Sequence, residues 1–529
     1  LRKKYIKHPK VSIIIPVKDA LDYLYKCLIS LNKYTENYEL IIVDNNSKKE
    51  TGEFLDKLDW FDFTLIRNSE NEGFAYACNQ GVKAASCDYI CFLNSDTILS
   101  ENWLGKLMKG FKVVYGDEDI GIVGPTLNKS STVCSPQVLK ERKKEEKIVD
   151  QGYVNSIAES LSEKYELERV VGVVWIIKRE VFEKIGVFDY KRYGIATWED
   201  IDFMERIFFA GYKTCHVNAS FVYHYGNKST VEMGLDPTGI RAKNKPIYLR
   251  RKAELNKNNL YIENDVELGE VNRIKGLIPI LMITWNRLKY TKKVIKAIIK
   301  NTDWPYKLYI WDNKSTDGTI DYLKDVKNKN IEIHYSENNV ELVEPMNVFF
   351  ERFKNYRYTA KVDNDTIVSK DWLKGLKEVA DFLPFFVVQA DHYLMLRYNI
   401  TKNDEYYRNL VSIDFKGNKV YLALNGGGTG ILIRRQVIDR EVPEKKGSLG
   451  GWVHYQATMG KVWPSAFYTG VWADRLDQIA TNKYKEPSDF PEYDEKIAKL
   501  RNPALIGAMG IHKSHFEEIR RITGNWLIS

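Results

Sequence analysis

Acids placed where hydrophobic runs stop are the chemistry-bearing feature of this 529-residue chain. Tyr89-Ile90-Cys91-Phe92-Leu93 reads as a buried strand that ends abruptly in Asn94-Ser95-Asp96. A carboxylate at the C-terminal end of a parallel strand faces the crevice where open α/β sheets bind ligands. Its oxygens suit a hard divalent cation; the alternative is a turn whose Asp caps the next helix. Leu40-Ile41-Ile42-Val43 leads in the same way to Asp44, placed either to accept hydrogen bonds from a nucleobase or ribose or to start an Asx-turn. Glu199 and Asp200 follow Trp198 at a helix start. Such a pair either complements the helix dipole or, beside apolar Ile201 and Phe203, forms a partly buried acid on a cleft wall. His224 ends the strand Phe221-Val222-Tyr223 ahead of a Gly226 turn. A lone histidine is usually structural; one that follows a strand-end carboxylate system is a candidate metal ligand.

The residues around Asp96 form a longer unit. Asn71 and Gly73 make a polar turn with a residue free to take positive φ. Phe74 to Ala85 are good helix formers, and the interleaved Asn79 and Gly81 predict a helix that approaches something closely. The same unit recurs: Asp312 matches Asp44, Asn347 matches Asn79, Asp365 matches Asp96 and Trp372 matches Trp103, at an offset of roughly 268 residues. A period so long means two copies of one domain rather than a solenoid. The copy includes Ser336 to Asn339, with Asn338, and Val362-Asp363-Asn364-Asp365-Thr366.

The elements that must position these residues alternate between strand and helix. A β-branched strand from Val11 ends at Pro16, and a helix with Leu21, Leu24, Leu28 and Leu31 on one face follows. A helix from Trp103 to Phe111 and a strand from Ile120 to Pro125 continue the pattern, which predicts a doubly wound α/β sheet in each copy. Residues 128 to 169 are polar and charged, as expected of a mobile or acceptor-facing insertion. Arg250 to Asn259 read as a basic helix. The polar stretch from Glu263 to Lys275 suggests domains at 1–262 and 278–529 joined by a linker at 263–277. The tail beyond Thr481, with Pro487, Pro491 and Pro503, is expected to pack on the second domain.

Composition narrows the class. At 44% hydrophobic and 28% charged the chain is ordinary globular material. No apolar run approaches the roughly 20 residues that span a bilayer. A net charge of +8 fits an anionic substrate, a membrane surface or a mixed solvated face. No helix-turn-helix, zinc-finger or RNA-binding signature supports nucleic acid as a partner. The six cysteines all precede residue 216 and read as buried thiols in a reducing, cytoplasmic setting, with peripheral association at the inner membrane face an option. The first residue is Leu, so the chain is expected to belong to something longer. A dinucleotide oxidoreductase would carry G-x-G-x-x-G after the first strand, and Pro16-Val17-Lys18-Asp19 offers neither that nor the Gly-rich loop of a sugar nucleotidyltransferase.

The run from VSIIIPVKD through VDNNS, NSENEGFAYACNQGVKAA, LNSDT, the Trp198-Glu199-Asp200 acids and the HYGNKS turn resembles a family 2 glycosyltransferase. The resemblance implies two tandem Rossmann-like type A domains, each with a mainly parallel central sheet, inversion at the anomeric carbon, and a divalent metal (Mn2+ or Mg2+). Carried onto this chain, it makes Asp96 and His224 metal ligands, with Asn94 in place of the motif's first acid. Asp200 becomes the base that deprotonates the acceptor, with Glu199 beside it. Asp44 would hold a uracil or thymine edge, and Pro16, Arg67, Asn71, Gly73, Asn94 and Ser95 would line the nucleotide-sugar pocket. In the second copy Asp312, Asn338 and Asp363 would contact nucleotide sugar and Asp365 the metal. That copy lacks the paired acids; His454 could serve as base and Asp474 stand near the place of His224, or the copy could only bind. The implied partners are a UDP- or dTDP-sugar donor and a glycan or lipid-linked acceptor. The implied role is two-step sugar addition in surface polysaccharide synthesis.

Overall fold

Short hydrophobic strands separated by amphipathic helices build two α/β units in the computed structural model, divided between Lys275 and Gly276. The structure describes residues 8–112, 119–128, 149–392 (except 196, 227, 229–231, 235, 257 and 384), 412–423, 429–435, 438 and 463–475.

The first unit opens with β1 (Val11–Val17), α1 (Leu21–Tyr34), β2 (Tyr38–Asp44), α2 (Lys49–Lys57) and β3 (Phe63–Arg67). Next come α3 (Phe74–Ala84), β4 (Tyr89–Leu93), β5 (Thr97–Leu99), α4 (Trp103–Lys109) and β6 (Ile120–Leu127). The strands β1, β2, β3 and β4 are parallel. Every residue of β1 except Pro16 is buried, because helices cover both faces. The helix α3 does approach closely: a Cβ on Gly81 would lie 2.3 Å from Ile14 Cγ2, so only glycine lets α3 lie on β1. Asn79, fully buried, pins the other side of α3 by exchanging hydrogen bonds with the backbone of Phe188 (2.9 and 3.1 Å).

The chain then forms α5 (Gln151–Ser160), β7 (Tyr165–Leu167), β8 (Val174–Lys178), α6 (Arg179–Ile185), α7 (Tyr190–Tyr193) and α8 (Glu199–Phe209). The unit ends with β9 (Lys213–His224), α9 (Pro237–Glu254) and β10 (Glu270–Ile274). The sheet order is β10-β3-β2-β1-β4-β8-β6-β9-β5, with β7 on β9. The sheet is mixed, since β8 runs antiparallel to both β4 and β6.

Three expectations change here. Residues 149–169 are packed structure rather than a mobile insertion. Val154, Ile157 and Ala158 of α5 cluster with Ile98 and Phe221, and β7 pairs with β9. The span read as a linker is largely strapped to the first unit: β10 pairs antiparallel with β3, and Gln80 and Lys83 of α3 donate to the carbonyls of Glu267 and Val266. Its polar side chains face water while its backbone completes a sheet edge, which composition does not reveal. The basic helix begins at Pro237, where Asp236 caps it by accepting from the Thr238 and Gly239 amides (2.9 and 3.0 Å), and it stops at Glu254.

The second unit comprises β11 (Ile278–Thr284), α10 (Leu288–Asn301), β12 (Tyr306–Asp312), α11 (Thr319–Asp325), β13 (Ile331–Tyr335), α12 (Val343–Arg352) and β14 (Tyr358–Lys361). It continues with β15 (Thr366–Val368), α13 (Trp372–Phe382), β16 (Phe385–His392), β17 (Ser412–Phe415), β18 (Asn418–Ala423), β19 (Ile431–Arg434) and β20 (Trp463–Arg475). Its order, β13-β12-β11-β14-β19-β16-β20 with β15 on β20, reproduces β3-β2-β1-β4-β8-β6-β9 with β5 on β9. The repeat therefore extends through the half in which sequence similarity fades. Even the tryptophans match: Trp103 Nε1 donates to Thr35 Oγ1 and Trp372 Nε1 to Thr302 Oγ1, both at 2.9 Å, and both rings are fully buried. Among the described residues, no helix is long and apolar enough to cross a membrane. The tail beyond Thr481 lies outside the described residues.

Candidate active site

A cleft opens at the carboxyl ends of β1 and β4. Among the residues that line it are Pro16, Asn71, Gly73, Asn94, Ser95, Asp96 and His224, all singled out from sequence. Lys18, Asn45, Phe74, Ile195, Lys228 and Met233 also line it and were missed as site residues. Lys18, Asn45, Phe74 and Lys228 stood inside the quoted motifs, but only folding shows that they face the cleft.

The turn at Gly73 is built for contact. Its φ is +89°, and a Cβ there would sit 2.7 Å from Ile195 Cα. The Phe74 amide donates to the Ile195 carbonyl at 2.9 Å. Asn45 ties the turn to β2: its amide nitrogen donates to Asn71 Oδ1 (2.9 Å) and the Gly73 carbonyl (3.1 Å), and its Oδ1 accepts from the Glu72 amide and Asn68 Nδ2 (both 3.0 Å).

The short strand β5 pairs with β9 so that Thr97 lies opposite His224. That register carries His224 Nε2 to 3.0 Å from Asp96 Oδ1. Asn128 fixes the backbone of His224 from behind, donating to its carbonyl at 3.1 Å and accepting from its amide at 2.6 Å. Burial pushes the Asp96 carboxyl up, but the His224 hydrogen bond and charge outweigh it and hold the group below the usual carboxylate range. Asn94 Oδ1, on the same cleft, is buried with no hydrogen-bond partner. Two oxygens and an imidazole nitrogen, one of them an orphaned acceptor, are a donor set that fits a divalent cation.

Asp44 and Arg67 are placed differently. Asp44 is buried, accepts from the Ser47 amide at 2.9 Å and pairs with Arg67 Nε at 3.2 Å. Arg67 turns its other nitrogens to Asp56 and the Gly52 carbonyl. Asp44 thus accepts from an amide three residues on, one beyond the spacing of an Asx-turn, and neither Asp44 nor Arg67 is among the residues that line the cleft.

Glu199 and Asp200 begin α8 after two strained residues: Thr197 and Trp198 have φ of 74° and 75°, a region that costs a non-glycine residue about 1–3 kcal/mol. The helix α9 holds that conformation. Asn244 Nδ2 donates to the Thr197 carbonyl (3.2 Å), Trp198 Nε1 donates to the Arg241 carbonyl (2.9 Å), and the Trp198 ring stacks on Tyr248 at 4.7 Å. Burial and then the charge of Asp200 push the Glu199 carboxyl up; burial pushes Asp200 up as well. Glu199 Oε2 is buried without a partner. Neither acid lines the cleft around Asp96. The segment 172–173 touches both sets of residues: Gly172 packs on Asp200, and the Val173 carbonyl accepts from the Asn94 amide at 3.1 Å. Asp202, by contrast, is consumed in a fully buried pair with Arg206 (2.9 Å) that also reaches Arg251 (3.4 Å).

In the second unit the scaffold persists but the acids are differently engaged. Asn313 repeats Asn45, donating to the Glu341 carbonyl at 2.6 Å, and Glu341 takes the left-handed position of Gly73 (φ 60°). Asp312 is fully buried and accepts from the Ser315 amide and hydroxyl. Asp365 is paired with Arg287 at 2.7 Å, and Asp363 with Lys361. Asn338 is exposed. Strand register places Arg475 opposite Thr366, where Thr97 has His224, so Asp474 stands one position away from the expected place. His454 lies outside the described residues.

A crevice at the carboxyl ends of parallel strands, holding a carboxylate–histidine pair, lies where open α/β sheets bind ligands. The Glycosyl transferase family 2 model matches residues 12–186 and 280–441, more than half of the chain, and the chain belongs to that family. The chain is similar to "Glycosyltransferase GlyA" of Streptococcus pneumoniae serotype 4 (28% identity over 222 residues, 41% of this chain and 30% of that protein). It is also similar to the poly-beta-1,6-N-acetyl-D-glucosamine synthase of Staphylococcus aureus strain COL (28% over 158 residues, 29% of this chain and 35% of that one). The matched segments thus span about a third of each relative. A crystal structure of GalNAc-T7 with UDP, GalNAc and Mn2+ is similar at 18% identity and a TM-score of 0.34, over 46% of this chain and 47% of that one.

Proposed function

We propose that the first unit transfers a sugar, with inversion, from a nucleotide-diphospho-sugar to a glycan or lipid-linked acceptor. The observation that carries this reading is the Asp96–His224 pair beside the orphaned Asn94 oxygen in one cleft. Asp96, His224 and Asn94 would hold a divalent cation, which supplies Lewis-acid stabilisation of the departing diphosphate. Pro16, Asn71, Gly73 and Ser95 bind the donor. Asp200 takes the proton of the acceptor hydroxyl as that oxygen bonds to the anomeric carbon and the carbon–diphosphate oxygen bond breaks. Burial raises Asp200 and so strengthens it as a base near neutral pH. Glu199, raised too, stays protonated beside it and can donate a hydrogen bond to sugar. The synthase named above supports a place in polysaccharide synthesis.

For the second unit two readings stand. Its matching topology and scaffold support a second transfer site with Asp312, Asp363 and Asp365 on the donor side and His454 as base. The Arg287–Asp365 and Lys361–Asp363 ion pairs, which occupy both acids of the motif, favour a unit that binds without transferring. The test is a nucleotide-sugar hydrolysis and transfer screen on the intact chain with Mn2+ or Mg2+, followed by Asp96→Ala and Asp365→Ala. Loss of one sugar addition in each variant would establish two active sites. Loss in Asp96→Ala alone would establish one, and full activity of Asp96→Ala in the presence of chelator would sink the metal assignment.

A further inference from the structure

A second group of potential ligands lies on the β7–β9 edge of the first sheet, away from the cleft residues. Glu166 on β7 is directly opposite His216 on β9, so both side chains project from one face of the pair. Glu168, two residues along, returns to that face. One donor atom from each of Glu166, Glu168 and His216 lies within 4.8 Å of the others.

The hydrogen bonding around His216 determines what its ring presents. Thr126 Oγ1 lies 3.0 Å from the Asn218 carbonyl and 2.8 Å from His216 Nε2; when its one proton goes to the carbonyl, it accepts from Nε2. With the proton on Nε2, a neutral ring turns the Nδ1 lone pair toward the carboxylates. His216 is 4% exposed, and its Nδ1 has no hydrogen-bond partner. The gap to Glu166 Oε2 is 3.6 Å, too long for a hydrogen bond. Glu168 Oε2 is a second buried atom without a partner.

We propose that Glu166, Glu168 and His216 form a binding site for a divalent cation of the Zn2+ or Mn2+ type. An imidazole with two carboxylates suits these ions better than Mg2+ or Ca2+, which prefer oxygen alone. Lys164 holds the other oxygen of Glu166, but its side chain is 63% exposed, and such a surface pair contributes little and gives way readily. The site lies on the stretch that leads from β7 into Gly172 and Val173. A cation there would clip that stretch to β9 and steady the segment that touches Asp200 and Asn94.

The experiment is Zn2+ binding to the metal-stripped full chain, followed by calorimetry and elemental analysis. Asp96→Ala removes the cleft ligand and isolates the proposed site. Asp96→Ala chain should retain one Zn2+, and adding Glu168→Gln or His216→Gln should weaken it by about 10- to 100-fold or more. Glu168→Gln alters a half-buried side chain, so it reports even where His216→Gln fails to fold. No Zn2+ on Asp96→Ala, or Zn2+ kept at full affinity by Glu168→Gln, overturns the proposal. Loss of Zn2+ from Asp96→Ala would leave the cleft assignment standing, so the two readings fail separately.

Discussion

Gly172→Ala tests the placement of the base without touching any group that does chemistry. A Cβ built on Gly172 lies 2.9 Å from Asp200 Oδ2 and 3.1 Å from Asp200 Cβ. Comfortable carbon contacts begin at about 3.5 Å, so Asp200 must retreat by about 0.5 Å or swing its carboxylate aside. Swinging breaks the 2.9 Å hydrogen bond that Asp200 Oδ1 accepts from the Ile201 amide. Displacing a catalytic group by about 1 Å can cost 10²-fold. Removing a general base outright costs about 10² to 10⁴. The expected result is a loss of kcat of about 10- to 100-fold in Gly172→Ala, approaching the loss in Asp200→Asn, with donor affinity unchanged. Turnover is read with the donor found by the hydrolysis screen. Donor binding is read by thermal shift, where saturation at 100 times Kd adds about 2.7 kcal/mol. A Gly172→Ala enzyme with native kcat and a displaced Asp200 carboxylate in its crystal structure would refute Asp200 as the base.

Other consequences are open to measurement. Asp202→Ala strands two buried guanidinium groups, Arg206 and Arg251, and should destabilise the first unit by about 3–5 kcal/mol, seen as a lower melting temperature; a shift within about 0.5 kcal/mol would contradict the buried pair. Glu199 keeps in the folded state a proton that it releases when unfolded, so its contribution is full below the ordinary glutamate range and is lost as pH rises through its raised pKa. Glu199→Gln should therefore gain melting temperature over the native chain progressively from pH 5 to pH 8, and a constant difference would place Glu199 in water. Arg287→Ala frees Asp365 from its ion pair, and if that pair is what keeps the second unit from transferring, sugar addition governed by Asp365 should rise; no change in product would return attention to the missing paired acids.

How much of this was legible in the sequence varies with how local each signal is. The tandem repeat was readable because strand-end acids and buried tryptophans recur at one offset, and the same positions reappear at the ends of corresponding strands. The close approach of α3 was readable from Gly81, because a missing Cβ in a helix has few other uses. The fate of residues 263–274 was not. Their polarity suggested a tether, but a backbone can complete a sheet edge whatever its side chains, and that pairing depends on β3 having a free edge. The same holds for α9, whose start is a capping event at Asp236 and whose function is to hold the strained turn before Glu199.

By itself the sequence determined the class of protein, two copies of an α/β domain with acids at strand ends, because hydrophobic period and turn chemistry act over a few residues at a time. Tertiary structure alone decided which partners each of those acids meets. Asp96 meets His224 through the β5–β9 register, whereas the corresponding register in the second unit brings Arg475 opposite Thr366, and Asp365 is met by Arg287. Asp44 and Asp96 look alike in sequence, but Arg67 and the Ser47 amide engage one and the cleft receives the other. The physical reason is that a carboxylate's chemistry is set by its neighbours in space, and those come from other segments of the chain that only folding brings beside it.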